Sequence, residues 1–314
     1  MSPHPSPGAE CGPADTPDPQ ISAHPNRETH LDSLPISRAL PIRDQRTVGP
    51  WCFLDRFGPL AFGDERPMQV PPHPHIGLQT VTWLLEGEIQ HTDSLGSEAV
   101  LRPGSLNLMT AGKGIAHAEV TPPANSGRLN GVQLWTALPE DFRRVEPAFS
   151  HLEQVPELEI QGGLIRLFAG MYQEVSFPAC YYSEIIGLDL QVHPQSRLTL
   201  ALARHFEHAL LLLDGELTLE KQTLASKTLY TLGPGRESLT LHSRSGGRVL
   251  LIGGPPFPEK ILMWWNFVAR TPEEIRQARE DWEAQRHFGP VPGSDLPRLS
   301  APDLARFARP NPAS

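Results

Sequence analysis

Four residues whose side chains suit metal binding occur as two closely spaced pairs. His73 and His75 flank a proline, and His117 and Glu119 flank an alanine. In a β-strand, residues i and i+2 point to the same face, so each pair can direct two side chains into one interior. Three imidazoles and one carboxylate suit a transition-metal ion such as Fe, Mn, Co, Ni or Cu. They do not suit a structural zinc site, which is closed, tetrahedral and usually rich in Cys.

Each pair also has a simpler interpretation. The residues around His73 and His75 are dense in proline and could form a turn, and Pro74 fits a strand only at an edge or a bulge because it donates no ladder hydrogen bond. Glu119 could orient His117 without binding the metal. We expect direct ligation, because Glu119 and His117 share a face. Four protein ligands would leave two positions of an octahedron open for water, O2 or a chelating substrate.

The remaining histidines carry weaker signals. His91 lies two residues before Asp93 in a predicted strand, and we expect a partly exposed strand residue there rather than a pocket residue. In the second half of the chain, His205 and Glu207 share a face, but His205 and His208 do not. No His-x-Glu pair follows them, so the sequence predicts a second half without a metal.

Composition excludes several classes of function. The 314 residues carry a net charge of −9, with 39% hydrophobic and 20% charged residues, which is typical of a soluble globular protein without a general nucleic-acid-binding surface. No apolar run approaches the roughly 20 residues that span a bilayer. Three widely spaced cysteines and the lack of a visible secretory signal favour a reducing, cytoplasmic setting. We expect a monomer.

The 34 prolines and 26 glycines favour many short strands over helices. Leu84-Leu85-Glu86-Gly87-Glu88 is echoed by Leu212-Leu213-Asp214-Gly215-Glu216, which indicates a degenerate internal duplication. A capping box at Thr271–Glu274 predicts one short C-terminal helix ending near His287. The predicted fold is all-β, with two small barrels in tandem. The predicted parts are a disordered Pro-rich tail (1–36), a metal-binding domain (37–145), a second domain without metal (146–290) and a Pro-rich tail (291–314).

Several longer motifs resemble the pirin family of the cupin superfamily over about residues 38 to 285. They are Phe53-Leu54-Asp55-Arg56-Phe57-Gly58-Pro59, His73-Pro74-His75-Ile76-Gly77, His91-Thr92-Asp93-Ser94-Leu95-Gly96, Met109 to Glu119, Gln133-Leu134-Trp135 and Trp265-Asn266-Phe267-Val268.

The resemblance implies two tandem cupin (jelly-roll β-barrel) domains. The first would hold one metal ion, usually Fe(2+), through His73, His75, His117 and Glu119. Some pirins open the ring of quercetin with O2, and the resemblance implies a flavonol substrate here. Glu119 is the candidate catalytic residue, because a loosely held carboxylate could accept the flavonol hydroxyl proton. Others are described as nuclear, iron-dependent partners of transcription factors. A redox-sensitive regulator that binds a protein partner without turnover is therefore the alternative to a dioxygenase.

Overall fold

Short antiparallel strands form most of this computed structural model, which describes residues 20–31, 34–43, 45–63 and 67–304. The first half contains a large and a small sheet. The large sheet comprises β2 (Arg27–Leu31), β3 (Leu34–Leu40), β4 (Trp51–Ala61), β6 (Leu78–Gly87), β9 (Leu106–Thr110), β11 (Arg128–Ala137) and β12 (Ala148–Leu152), in the order β12-β9-β6-β11-β4-β3-β2. The small sheet comprises β5 (Gln69–His75), β7 (Ile89–Asp93), β8 (Glu98–Leu101) and β10 (Ile115–Val120), in the order β5-β10-β7-β8.

The second half repeats this two-sheet arrangement. Its large sheet comprises β1 (Ile21–Pro25), β13 (Glu157–Ile160), β14 (Gly163–Tyr172), β15 (Val175–Ser176), β16 (Ile186–Val192), β18 (Glu207–Gly215), β21 (Thr228–Leu232) and β23 (Gly247–Gly254). Its small sheet comprises β17 (Ser196–Ala201), β19 (Thr218–Leu219), β20 (Gln222–Thr223) and β22 (Ser238–Ser243). The prediction of an all-β chain with two tandem jelly-roll domains and one short C-terminal helix is confirmed, although the sheets do not close into complete barrels.

The N-terminal segment contributes one strand to a sheet of each half. β1 pairs with β21 of the second half, and β2 pairs with β3 of the first. The predicted disorder of 1–36 is therefore wrong for 20–31 and 34–36, because this polar segment satisfies its backbone groups on the edges of two sheets. Residues 1–19 lie outside the described residues.

The predicted domain borders are also crossed further along the chain. β12 was expected in the second domain, but it pairs with β9 of the first. The hairpin formed by β24 (Leu262–Trp264) and β25 (Phe267–Ala269) bridges to Ile76 beside β5. The two halves are thus interlaced through these strand pairings, and the domain borders at residues 145 and 290 stay a prediction.

Helix α1 spans Pro272–Glu283 and begins with the predicted capping box between Thr271 and Glu274. It ends before the predicted His287, because Gln285 and His287 adopt positive φ. Within 291–304 two hydrogen bonds hold Leu299 against the rest of the protein: Trp282 Nε1 donates to Leu299 O at 2.7 Å, and Leu299 N donates to Pro72 O at 2.9 Å. Residues 305–314 lie outside the described part.

A shared apolar core joins the two halves. Trp51 Nε1 donates to two carbonyls of the second half, Ile186 O and Gly253 O, each at 3.2 Å. Trp83 Nε1 donates to the fully buried Asp189 at 2.9 Å. Strand side chains alternate between faces, so Trp83 points to the second half while its neighbour Thr82 points into the first. No helix in the described ranges is long and apolar enough to span a membrane.

Candidate metal centre

The small sheet of the first half places both histidine-containing pairs side by side. β5 and β10 are adjacent, with His73 opposite His117 and His75 opposite Ile115. A register irregularity between His117 and Glu119 shifts the carboxylate opposite Val70. β5 is an edge strand, which is why Pro74 is tolerated within it.

Three imidazoles converge within this sheet. His73, His75 and His117 each offer a ring nitrogen within 4.8 Å of the other two. His75 Nε2 lies 3.0 Å from His117 Nε2. All three side chains are buried. The structure therefore brings together the three histidines that the sequence singled out.

Backbone carbonyls fix the tautomer of two of these rings. His73 Nδ1 lies 2.9 Å from Pro71 O, and His75 Nδ1 lies 3.1 Å from Asn266 O. A carbonyl oxygen only accepts, so each Nδ1 carries the proton and each Nε2 presents a lone pair. This is the form in which a histidine ligates a metal through Nε2.

The electrostatics of the cluster fit a bound cation. Burial lowers the pKa of His73 to about 4, and burial together with the neighbouring imidazoles lowers the pKa of His75 and His117 well below its usual value. Neutral rings that face each other with Nε2 atoms 3.0 Å apart repel unless a cation or proton lies between them. Two nitrogens bound at about 2.1 Å and at right angles would be about 3.0 Å apart. The cluster can therefore hold a metal ion.

Glu119 lies beside His117 but outside the tightest cluster. It groups within 4.8 Å with His91 and His117, and the four predicted ligands do not form a single group at that limit. Thr82 Oγ1 donates to Glu119 Oε1 at 3.1 Å. Burial raises the pKa of this carboxyl group. Its role as a fourth ligand stays a prediction.

His91 is a functional candidate that the sequence analysis placed wrongly. It was expected to be partly exposed, yet it is 1% exposed and stacks on Phe149 with ring centroids 4.3 Å apart. Its Nε2 lies 3.2 Å from Asp93 Oδ2, and its Nδ1 lies 3.3 Å from His117 Nδ1. The signal was present in the sequence, because His91 and Asp93 share the i, i+2 spacing of the other pairs.

A cavity of about 390 Å³ opens above the cluster. Phe53 and Trp135 stack at 4.1 Å along its wall, and Arg38 forms a bidentate ion pair with Asp55. Its lining residues are Leu31, Ile36, Arg38, Phe53, Asp55, Phe57, Met68, Val70, His73, His75, His117, Glu119, Gln133, Trp135, Trp265, Asn266 and Leu299. Nine of these residues are apolar and eight are polar or charged, so the cavity offers both apolar surface and polar groups to a small organic ligand.

Residues far along the chain complete this cavity. Trp265 lines the cavity, and the backbone carbonyl of its neighbour Asn266 lies 3.1 Å from His75 Nδ1. Leu299, within the predicted Pro-rich tail, also lines it. Trp265 and Asn266 lie in a motif of the resemblance, but the local pattern does not predict which distant residues they contact.

The second half shows a different chemistry at the corresponding sheet. In the second half, β17 and β22 pair Leu198 with Leu241 and Leu200 with Leu239. His205 is exposed and pairs with Glu184, while His208 is buried and burial lowers its pKa to about 4. Within 20–31, 34–43, 45–63 and 67–304, both candidate metal groups lie in the first half. The absence of a second metal stays a prediction.

Comparison with known proteins agrees with the resemblance. Residues 34–136 match the Pirin family model, and residues 187–289 match the Pirin C-terminal cupin domain. A Pseudomonas aeruginosa protein provisionally named a quercetin 2,3-dioxygenase is 45% identical over 270 residues, covering 86% of this chain and 85% of that protein. A pirin-like protein of Caulobacter vibrioides is 38% identical over 267 residues, covering 83% of this chain and 92% of that protein.

Among solved structures, a quercetin 2,3-dioxygenase from Acinetobacter baumannii is 40% identical. It superposes with a TM-score of 0.87 and covers 90% of this chain and 95% of that one. The bacterial pirin YhhW from Escherichia coli, solved with nickel(II), is 17% identical with a TM-score of 0.62 and covers 76% of this chain and all of that one; it shows the fold alone. The two family models cover most of the chain between residues 34 and 289. The chain therefore belongs to the pirin family.

Proposed function

We propose that this protein is a metal-dependent dioxygenase that cleaves a flavonol such as quercetin with O2. The observation that carries the proposal is the convergence of three neutral imidazoles beneath a cavity walled by aromatic rings. The names of the Pseudomonas and Acinetobacter relatives supply the substrate class.

The proposed ligands are His73, His75 and His117 through Nε2 and Glu119 through a carboxylate oxygen. The expected ion is Fe(2+), with Mn, Co, Ni and Cu as alternatives for the same donor set. When bound, the ion supplies Lewis acidity that lowers the pKa of a coordinated flavonol hydroxyl and aligns the substrate with O2.

The protein's own residues position the substrate and move its proton. The stacked pair Phe53 and Trp135 supplies an aromatic wall against which the flavonol rings would pack. Glu119 accepts the hydroxyl proton, a role favoured by the burial that raises its pKa. Thr82 holds the carboxylate in place through Oε1. Both atoms of O2 enter the products, a depside and carbon monoxide.

The free cysteines Cys52 and Cys180 bear on the cellular compartment in which the protein would act. Cys52 is a buried free thiol and Cys180 is an exposed one. An exposed free thiol persists in a reducing compartment, which supports a cytoplasmic enzyme. We propose that it acts as a monomer on a small molecule.

The test is to measure the native metal by mass spectrometry, add quercetin and O2, and follow flavonol absorbance and carbon monoxide. Wild-type protein should consume flavonol in proportion to its metal content. His75→Ala should keep its β-sheet circular dichroism but lose metal and turnover. The matched control, His205→Ala, removes an exposed histidine and should change neither.

A negative result has a specific meaning. Protein loaded in turn with Fe, Mn, Co, Ni and Cu that leaves quercetin untouched would reject the dioxygenase. The iron-binding regulator with a protein partner would then be the better hypothesis.

A further inference from the structure

The third imidazole of the cluster is held differently from the other two. Carbonyl oxygens fix the tautomers of His73 and His75, but His117 Nδ1 faces a nitrogen, His91 Nδ1, at 3.3 Å. One of these two nitrogens must donate and the other accept. The outcome decides whether His117 Nε2 presents a lone pair or a proton to its neighbours.

Asp93 determines which of these two nitrogens donates, because it fixes the tautomer of His91. Asp93 Oδ1 accepts from the backbone amides of Leu95 and Ser97, each at 2.9 Å, which fixes the carboxylate plane. Its Oδ2 lies 3.2 Å from His91 Nε2. A carboxylate accepts, so the His91 proton belongs on Nε2, and His91 Nδ1 is left as an acceptor.

The His91 ring is held in one orientation by the residues packed around it. His91 is 1% exposed and lies nearly parallel to Phe149, with 9° between the ring planes. In the sheet, β7 pairs with β10 so that Asp93 lies opposite His117 and His91 lies opposite Glu119. The three residues therefore keep their relation through backbone pairing as well as through side-chain contacts.

We propose that Asp93 and His91 are positioning residues that fix the metal-binding tautomer of His117. Asp93 Oδ2 accepts the proton of His91 Nε2, His91 Nδ1 accepts the proton of His117 Nδ1, and the lone pair of His117 Nε2 faces His75. His91 does not bind the ion itself. This inference rests on the proposed metal site and assigns two residues to its support.

The geometry separates this role from direct ligation by His91. The His117 nitrogen near His91 is Nδ1, whereas the nitrogen near His75 is Nε2. These two atoms lie on different sides of the imidazole ring. An ion held by the Nε2 atoms of His75 and His117 is therefore on the side of His117 away from the Nδ1–Nδ1 contact.

The decisive variant is Asp93→Asn. The asparagine oxygen can keep both turn hydrogen bonds, while its amide presents protons to His91 Nε2. His91 must then carry its proton on Nδ1, where it faces the proton of His117 Nδ1. Relief of this clash moves the His117 proton to Nε2 and removes the ligand lone pair.

The readout is the affinity for Co(II), measured by competition with a chromophoric chelator, together with the visible absorption bands of the bound Co(II). Loss of an outer hydrogen-bond partner of a metal-binding histidine typically lowers affinity about 10- to 100-fold. We expect that loss in Asp93→Asn and His91→Leu. His91→Gln offers an amide oxygen as acceptor and an amide N–H as donor, so it should recover most of the affinity with unchanged Co(II) bands.

Controls separate the outcomes. Glu184→Gln neutralises an exposed carboxylate that also pairs with a histidine, His205, and should leave Co(II) affinity unchanged. Urea unfolding of each apo variant reports folding independently of the metal. Asp93→Asn with affinity within about threefold of wild type would overturn the inference, because that is below the usual contribution of such a partner.

Two further outcomes also overturn it. If His91→Gln loses affinity as fully as His91→Leu and shifts the Co(II) bands, His91 is a ligand rather than a positioning residue. If wild-type protein binds no Co(II), both this inference and the proposed metal site fail. Binding by wild type with normal affinity in Asp93→Asn rejects the inference alone.

Discussion

Removal of the Asp189 carboxylate should destabilise the protein severely, because this group joins the two halves of the molecule. Asp189 is fully buried and accepts from Trp83 Nε1 at 2.9 Å and from Arg248 Nε at 2.7 Å. Trp83 belongs to the first half and Arg248 to the second. Asp189→Ala would leave a guanidinium and an indole N–H without their shared acceptor.

The expected loss of unfolding free energy in Asp189→Ala follows from the burial of its two partners, Arg248 and Trp83. Breaking a buried ion pair from one side costs about 3–5 kcal/mol, and the Arg248 side chain is 23% exposed, which places its share near the lower end. The stranded Trp83 N–H adds about 1 kcal/mol or more. We therefore expect Asp189→Ala to lower the free energy of unfolding by about 4 kcal/mol, or Tm by about 8 °C at roughly 2 °C per kcal/mol for a chain of this size.

Urea and thermal unfolding of apo protein would measure this effect. Asp189→Ala/Arg248→Met removes both charges and should be more stable than Asp189→Ala by about 1–3 kcal/mol, since no buried cation remains unpaired. Glu237→Ala, which removes half of an exposed pair with Arg204, should change Tm little. A cost below about 1 kcal/mol for Asp189→Ala, or strict additivity in the double variant, would refute the reasoning.

Two further predictions concern backbone fit and pH. Gly77→Ala should lower both Tm and Co(II) affinity, because Gly77 has φ +70° and an added Cβ would lie 2.1 Å from Val268 O, on the hairpin that carries Asn266. The control Gly104→Ala has a positive φ of +91° with open space around the added Cβ, so thermal melts should show only the strain of about 1–3 kcal/mol, and Co(II) affinity should be unchanged; equal losses in both variants would contradict the clash. The pKa of buried His208 is lowered from 6.5 to about 4, so its contribution to stability is complete above pH 6.5 and is lost as pH falls towards 4, by at most ~3 kcal/mol. Urea midpoints of apo His208→Asn should therefore depend less on pH between about 4.5 and 7 than those of apo wild type, and parallel curves would reject this contribution.

The sequence predicted the residues whose signals are local. The i, i+2 spacing of His73 with His75, and of His117 with Glu119, reflects the two-residue period of a strand, and the structure places both pairs on adjacent strands. The same period relates His91 to Asp93. The burial of His91 and Asp93 depends on which strands lie beside β7. The spacing of residues within one strand does not predict the order of strands in the sheet.

The remaining errors share a cause in long-range pairing. The polar segment around Ile21–Pro25 was expected to be disordered, and it is ordered because β21, some 200 residues later, offers an edge. Asn266 lies within a motif of the resemblance, but it holds His75 through a backbone carbonyl, which residue type does not specify, and Leu299 lies in none of the motifs. Composition and periodicity describe a segment by itself, whereas these roles exist only in contact with distant partners.

The late position of Asn266 and Leu299 in the chain has a consequence for biosynthesis. His73 and His75 leave the ribosome early, but the carbonyl that fixes His75 and the side chain that closes the cavity wall follow roughly 190 to 220 residues later, or about 10 to 45 s at ordinary rates of translation. A nascent chain therefore exposes a metal-binding sequence before it has the structure that selects a tautomer and excludes water. On the proposed metal site, insertion of the ion into the finished site would follow translation, and the pool of ions that the completed protein meets would then influence which metal is bound.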